Sequence, residues 1–310
     1  MKARLVFFIR TIMTQDLLPK FKFYQDIRIW PKNSDFDYEG WLENFTQDEQ
    51  KIAQKILDFF VYFPDDIIDQ MFRTVVGRAG YFFRNFDSSW SNESFSNNCW
   101  YSFIPGEDPN ASDSGYIYTR KVREVLGVPQ ERLLLFGQLL HLLEDASEPQ
   151  NIILTDDFVG TGNQCENAWN RQLYDNFNKS LKQVVEEGGH RVIYVPLIVN
   201  ERGKYKITGH CDGLGLEYAY ELGTQWNLFL PNCPCWEGDT YLYKDGVALI
   251  KEKSLAIGIE DDNSVCSVKG FNGQGLALGF SNGIPDACPG FFFKETEDWV
   301  PLKKKHLKRG

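Results

Sequence analysis

Apolar residues in the first 90 positions recur at intervals of three and four, the spacing that places them on one face of a helix. Thr46 followed by Glu49 forms a capping box, which predicts a helix start at this point. A second helix start is predicted at Pro64, because proline suits the first turn of a helix. We therefore predict a helical cap over residues 1–90, with an extended segment at 21–30.

Beyond residue 90 the pattern changes to short, continuous apolar runs that alternate with helical spacing. Such a run, bounded by turn residues, is typical of a strand buried on both faces of a parallel sheet. Alternating strands and helices indicate crossover connections. We therefore predict an α/β fold with a mostly parallel sheet over residues 91–310. The predicted strands are 100–104, 152–154, 191–199, 214–222 and 275–280, and the predicted helices are 116–126, 131–143, 163–181 and 246–257.

One stretch combines a strand, an acidic pair, a Gly/Thr loop and a helix. Asp156 and Asp157 follow the predicted strand 152–154 at its carboxyl end. The loop consists of Val159, Gly160, Thr161 and Gly162, and Asn163 and Gln164 open the helix. Ligands of open α/β sheets bind outside the carboxyl ends of the strands, so this loop is the first candidate site.

The residue types of this loop suit a sugar phosphate. The backbone N–H groups of residues 160–164, at a glycine turn and a helix N-terminus, and the Thr161 hydroxyl are expected to bind a phosphate. Because carboxylates repel phosphate, Asp156 and Asp157 are expected to accept hydrogen bonds from sugar hydroxyls instead. Together these groups describe a ribose 5-phosphate site. The alternative is a surface turn with an acidic rim, while a P-loop is excluded because no Gly-Lys-Ser/Thr follows.

A second loop of this kind precedes the helix predicted at 116–126. It contains Ser112, Asp113, Ser114 and Gly115. A strand–loop–helix junction suits an anion, although an ordinary Asp/Ser helix cap is the alternative explanation. We include Ser114 and Gly115 among the candidate ligand-binding residues.

The charge balance bears on the partners of the protein. The chain has 43 acidic residues against 33 Lys and Arg, a net charge of −10, which argues against direct binding of nucleic acid. Aromatic residues make up 15% of the chain, which favours stacking surfaces or a protein interface, although a thick core also uses them. The basic residues at 303–309 are interpreted as a solvated end, with contact to a nucleic acid or an acidic partner as the alternative.

The cysteines bear on the compartment and on metal binding. Seven scattered cysteines indicate reduced thiols and a cytoplasmic location. No apolar run reaches membrane-spanning length, so no membrane contact is expected. His210, Cys211, Cys233 and Cys235 are enough ligands for zinc, but they lack the usual two-residue gap within each pair. Free thiols are therefore the default prediction and a zinc site is the alternative.

Four segments of the chain carry a resemblance to known proteins. They are WLENF at 41–45, SDSGYIY at 112–118, DDFVGTGNQ at 156–164, and the interrupted ending GFNGQGLALGF, IPDACPGFFF and WVPL within 270–302. The third segment is similar to the motif with which type I phosphoribosyltransferases bind 5-phosphoribosyl 1-pyrophosphate (PRPP). In this order the four segments resemble the PRTase-CE-type phosphoribosyltransferase-like domain of bacterial conflict and anti-phage systems. The resemblance implies a sheet of type I phosphoribosyltransferase-like topology with an N-terminal helical extension.

The resemblance also carries expectations about function. It implies that Asp156 and Asp157 are the catalytic pair, that PRPP or a related ribose-phosphate nucleotide is the ligand, and that Mg²⁺ accompanies PRPP. It implies protein partners from a defence locus. Whether the chain is an enzyme stays open, since no residue stands out as a general base. The alternatives are a PRPP or nucleotide sensor without catalysis and a toxin effector held silent by a partner.

Overall fold

The computed structural model describes residues 16–32, 35–106, 114–172 and 177–305. These residues form seven strands and eleven α-helices. The strands are β1 Val61–Phe63, β2 Cys99–Phe103, β3 Asn151–Val159, β4 Arg191–Asn200, β5 Leu214–Leu216, β6 Tyr220–Leu222 and β7 Leu278–Phe280. The helices are α1 Leu18–Asp26, α2 Tyr38–Glu43, α3 Gln47–Phe59, α4 Asp65–Arg84, α5 Asn92–Asn97, α6 Ser114–Leu126, α7 Phe136–Asp145, α8 Asn163–Asn170, α9 Leu181–Gly188, α10 Glu201–His210 and α11 Thr240–Ala256. None of these described helices combines the length and the apolar composition that a membrane crossing requires.

Five strands form a parallel sheet in the order β2-β3-β4-β5, and β6 pairs with β4 beyond the end of β5. The two apolar runs of the sequence become its centre, since β3 and β4 are buried along most of their length. The strand predicted at 214–222 is split into β5 and β6, which pair with different parts of β4. The prediction of an α/β fold with a mostly parallel sheet is confirmed.

Helices cover both faces of this sheet. Ile153 of β3 and Ile193 of β4 share one core cluster with Tyr118 of α6, and α4 also packs on β4. The next residues in the alternation, Ile152 and Leu154, belong to a second cluster with α7, α8, α9 and α10. This follows from the two-residue period of a strand, which sends neighbouring side chains to opposite faces.

The two ends of the chain share one core. β1 pairs in parallel with β7 as a separate two-stranded sheet, and Phe36 forms a bridge with Lys303. Trp41 of α2 stacks on Phe292, with ring centroids 5.9 Å apart. The described part of the predicted cap is mainly helical. A division of the chain at residue 90 stays a prediction, and these contacts run across it.

Two predicted elements were wrong. The segment 21–30, predicted to be extended, contains α1, in which Phe21 and Tyr24 both contact the ring of Trp30. Phe21 and Tyr24 are three residues apart, which places their rings on one face of a helix, and their shared contact with Trp30 favours the helix over an extended strand.

The helix predicted over 163–181 is not continuous. α8 ends at Asn170, and α9 starts after Ser180, whose hydroxyl accepts a hydrogen bond from the Gln183 N–H. Ser180 is thus a favourable helix cap that starts a new helix where the apolar spacing indicated the last residues of a single one. Residues 173–176, between the two helices, lie outside the described residues.

Candidate functional site

The acidic pair lies within β3 rather than after it. The sequence analysis ended this strand at 154, but β3 continues to Val159, and Asp156 is in register with Pro196 of β4. The long apolar β4 provides pairing partners beyond the apolar part of β3, so the ladder extends across the polar residues. Placing Asp156 and Asp157 after the end of the strand was therefore wrong.

Asp156 is enclosed on the face of the sheet that α8 covers, with 4% of its surface exposed. The Tyr194 hydroxyl donates a 2.6 Å hydrogen bond to its Oδ2, and the Asp157 N–H donates a 2.9 Å bond to its Oδ1. Burial raises the pKa of Asp156 well above its usual range, and the charge of Asp157 raises it further. This carboxyl is therefore placed to hold Tyr194 and the strand backbone.

Asp157 is half-buried, and its carboxylate lies near Tyr118 of α6 while its side chain also interacts with that of Asp156. Burial raises the pKa of the Tyr118 hydroxyl on α6, and the nearby charge of Asp157 raises it further. The Tyr118 hydroxyl donates a 3.5 Å hydrogen bond to Asn282 Oδ1. Asp157 thus lies where β3, α6 and the C-terminal segment meet. The two aspartates, adjacent in sequence, have different surroundings, and Asp157 is the accessible one.

The loop after β3 is packed closely against α10. Gly162 has φ +77°, in the left-handed region, and an ideal Cβ there would lie 2.8 Å from the Gly203 carbonyl oxygen. A Cβ on Gly203 would lie 2.6 Å from the Gly160 carbonyl oxygen. Glycine is needed on both sides because the two backbones are in direct contact.

This loop offers unpaired donors. Within the described residues, the backbone N–H groups of Thr161 and Gly162 have no hydrogen-bond acceptor. The Asn163 N–H makes a long bond of 3.4 Å to Thr161 Oγ1. Gly162 is the N-cap of α8, whose first-turn N–H groups also lack partners within the helix. The arrangement is one that binds anions at helix N-termini.

Val159 and Gln164, the first and last of the predicted loop residues, do not direct their side chains in the same way. Val159 is buried with Ile152 and Leu154 in the core, so only its backbone faces the loop. Gln164 is exposed, and its Nε2 donates a 3.2 Å hydrogen bond to the Ile104 carbonyl oxygen. This bond ties α8 to the segment that follows β2, so the ends of the neighbouring strands β2 and β3 are linked.

The second predicted loop leads into α6. Ser114 and Gly115 are the first residues of this helix, which packs on β2 and β3, so both predicted loops lie at the same edge of the sheet. The side chain of Ser114, together with Ser112 and Asp113, lies outside the described residues. Lys121, about two turns farther along α6, binds Asp69 with an Nζ–Oδ1 distance of 2.7 Å and so connects α6 to α4.

The sequence analysis missed three residues of this region: Tyr194, Gly203 and Gln274. Tyr194 stood in an apolar strand, and its position beside Asp156 depends on the register of β3 and β4. The carboxamide of Gln274 lies over Gly160, where an ideal Cβ would be 2.9 Å from Nε2. A signal was present in the sequence, since this glutamine stands between two glycines in a turn-rich segment.

The candidate zinc ligands are not brought together. Cys211 belongs to the core cluster on the α8 face, whereas Cys233 and Cys235 belong to the cluster on the α6 face. Among the described residues there is no group of three or more His, Cys, Asp or Glu side chains that could hold a metal ion.

Comparison with known proteins identifies the chain at the family level. The family model for PRTase-CE matches residues 38–305. Curated proteins gave no significant match. Among solved structures, a hypothetical protein from Neisseria gonorrhoeae with bound ppGpp is 12% identical with a TM-score of 0.32, covering 53% of this chain and 85% of that chain. A similarity at this distance transfers no property to the present chain.

Proposed function

Because the chain belongs to the PRTase-CE family, we propose that it binds PRPP or a related ribose-phosphate nucleotide at the loop between β3 and α8. The family indicates a phosphoribosyltransferase-like function. One observation supports the finer proposal: within the described residues, the N–H groups of Thr161 and Gly162 are unpaired at the N-terminus of α8, and they follow the half-buried Asp157 by four and five positions in the chain.

The chemistry of these groups orients the ligand. The N–H groups of Thr161 and Gly162, with the positive end of the α8 dipole, bind the 5-phosphate. Asp157 repels phosphate and accepts hydrogen bonds from the ribose hydroxyls, which places the sugar toward α6. Asp156 is a positioning residue, because its Oδ1 holds the backbone N–H of Asp157.

Catalysis adds a requirement for charge stabilisation. As pyrophosphate leaves PRPP, positive charge develops at the ribose C1, and the carboxylate of Asp157 favours that charge. Mg²⁺ characteristically uses one or two carboxylates together with substrate phosphates, so the carboxylate of Asp157 fits an ion that enters with PRPP. The metal would neutralise the departing pyrophosphate.

A sensor without catalysis is the second candidate, and one observation favours it. Tyr118, beside Asp157, is hydrogen-bonded to Asn282, and Gln274 lies over Gly160. Asn282 and Gln274 belong to the C-terminal segment, which also contributes β7, the strand that pairs with β1. Occupancy of the site can therefore bias the contact between the two ends of the chain, where a partner protein of a defence locus would respond.

Titration of PRPP with Mg²⁺ by calorimetry tests the proposal. Asp157→Asn should weaken binding by about 1.5–3 kcal/mol, or roughly 10- to 150-fold, because it replaces a charged acceptor of the ribose hydroxyls. Asp245→Asn is the matched control, since Asp245 is exposed on α11, which packs against α3 rather than the sheet. Equal affinity of all three proteins for PRPP would contradict the assignment.

The same proteins separate the enzyme from its alternatives. Release of pyrophosphate with a base or nucleoside acceptor indicates a transferase, whereas binding without turnover indicates a sensor. A toxin effector of an anti-phage system should arrest growth on expression, and Asp157→Asn should abolish the arrest while Asp245→Asn does not.

A further inference from the structure

Gln274 contains a buried polar atom next to the proposed phosphate loop. The residue is 7% exposed, and its Nε2 donates a 3.1 Å hydrogen bond to the Phe271 carbonyl oxygen. This bond sets the orientation of the carboxamide, because only its NH₂ end can donate. Within the described part of the chain, Oε1 has no hydrogen-bond partner. A buried acceptor without a donor lowers the stability of the folded protein, so an unpaired buried oxygen needs a specific explanation.

The position of this atom relates it to the ligand. An ideal Cβ on Gly160 would lie 2.9 Å from Gln274 Nε2 and 3.0 Å from Oε1. Gly160 lies in the chain between Asp157, the proposed acceptor of the sugar hydroxyls, and Thr161, the first donor to the phosphate. The carboxamide therefore contacts the proposed loop at a residue between these two groups.

Backbone contacts hold Gln274 in this place. The Gly275 N–H donates a 2.7 Å hydrogen bond to the Lys269 carbonyl oxygen, and Asn227 Nδ2 donates a 2.9 Å bond to the Gly273 carbonyl oxygen. Gly275 has φ +58°, and an ideal Cβ there would lie 2.2 Å from Asn227 Oδ1. The segment 269–275 is thus closely packed, and it presents Gln274 to the loop after β3.

We propose that Gln274 is a specificity-determining residue, whose Oε1 accepts a hydrogen bond from a ring hydroxyl of the bound sugar phosphate. This inference rests on the proposed function. An amide oxygen only accepts hydrogen bonds, so it pairs with a hydroxyl and disfavours a phosphate oxygen. Gln274 and Asp157 together then provide acceptors for the sugar from two sides. Because Oε1 is covered in the protein alone, the carboxamide shifts from Gly160 as the hydroxyl enters.

Phosphorus NMR titration with ribose 5-phosphate and with inorganic phosphate separates recognition of the sugar from recognition of the phosphate. Gln274→Met keeps a similar side-chain length and removes the amide. Gln47→Met, at an exposed position at the start of α3, is the matched control. We expect Gln274→Met to weaken ribose 5-phosphate binding about five- to tenfold and to leave the phosphate affinity unchanged. Gln47→Met should change neither affinity.

Two results would overturn the inference: unchanged ribose 5-phosphate binding in Gln274→Met, or equal weakening for both probes. Wild-type protein that binds neither probe overturns the proposed function as well, whereas binding that Gln274→Met leaves intact overturns this inference alone. Gln274→Met also removes the donor to the Phe271 carbonyl oxygen, so a melting curve is measured first to show that the variant is folded. Gln274→Leu repeats the titration if the Met variant does not fold.

Discussion

Asp156→Asn removes a buried ionisable group while it keeps the size of the side chain. The amide can retain the hydrogen bonds with the Tyr194 hydroxyl and the Asp157 N–H, because the Tyr194 hydroxyl can accept as well as donate. Burial, and then the charge of Asp157, makes ionisation of Asp156 more costly in the folded protein than in the unfolded chain. We therefore expect the variant to be more stable than the wild type at pH 7.

Proton binding determines the sign and size of this difference. Above the ordinary carboxyl pKa of 3.8 and below the raised pKa, folded Asp156 keeps a proton that the unfolded chain has lost. Its contribution to the free energy of unfolding is therefore fully present at low pH. It falls by about 1.4 kcal/mol for each pH unit within this window. Asp156→Asn has no such proton, so its advantage over the wild type should increase with pH.

Urea unfolding at several pH values between 4 and 8 measures this slope. The exposed Asp245→Asn serves as the control and should follow the wild type. Tyr194→Phe should lower the stability by about 1–3 kcal/mol, because it removes the hydroxyl that pairs with the buried carboxyl. The reasoning fails if wild type and Asp156→Asn lose or gain stability in parallel across this range.

Three further predictions concern single contacts. Gly162→Ala should destabilise the protein by about 1–3 kcal/mol and weaken PRPP binding, because Gly162 has φ +77° and the new Cβ would collide with α10. The melting temperature measures the loss of stability, and calorimetry measures the loss of PRPP affinity. His190 is buried with a lowered pKa, so the unfolded chain takes up the proton first and stability should fall as pH drops below 6.5; His190→Gln should lessen this loss in urea titrations. Lys121→Met should cost about 1 kcal/mol by breaking the bond to Asp69, whereas Lys182→Met, in a looser pair, should leave the urea midpoint unchanged.

The position of the candidate loop could be predicted from the sequence, but the different surroundings of the residues within it could not. Gly160, Thr161 and Gly162 could be selected because glycine, a hydroxyl and a following helix are local properties of the chain. Asp156 and Asp157 were assigned one shared role, yet Asp156 is enclosed beside Tyr194, whereas Asp157 is half-buried near Tyr118 of α6. Their separation depends on where β3 ends, and the pairing with β4 decides that.

The position of Gln274 could not be predicted from the sequence either, because it depends on a contact between distant parts of the chain. It is 114 positions from Gly160 in the sequence, and no local pattern connects the two residues. Their contact requires the segment 269–275 to pack beside the loop after β3, and hydrogen bonds from Asn227 to the Gly273 carbonyl and from Arg202 to the Asn272 carbonyl hold this segment. A ligand-contacting role for such a residue can be recognised only when its unpartnered atom is seen in place.

The sequence by itself determined the fold class, the parallel sheet and the position of the loop after β3. These properties follow from the hydrophobic period and the turn residues of short segments. Both are local, so they favour the same helix, strand or turn whatever the segment packs against. The tertiary structure alone decided that β7 leaves the main sheet for β1, that Asp156 is enclosed, and that Gln274 covers Gly160. Each of these depends on partners distant in sequence, because strand register and burial are set by the packing of the whole chain.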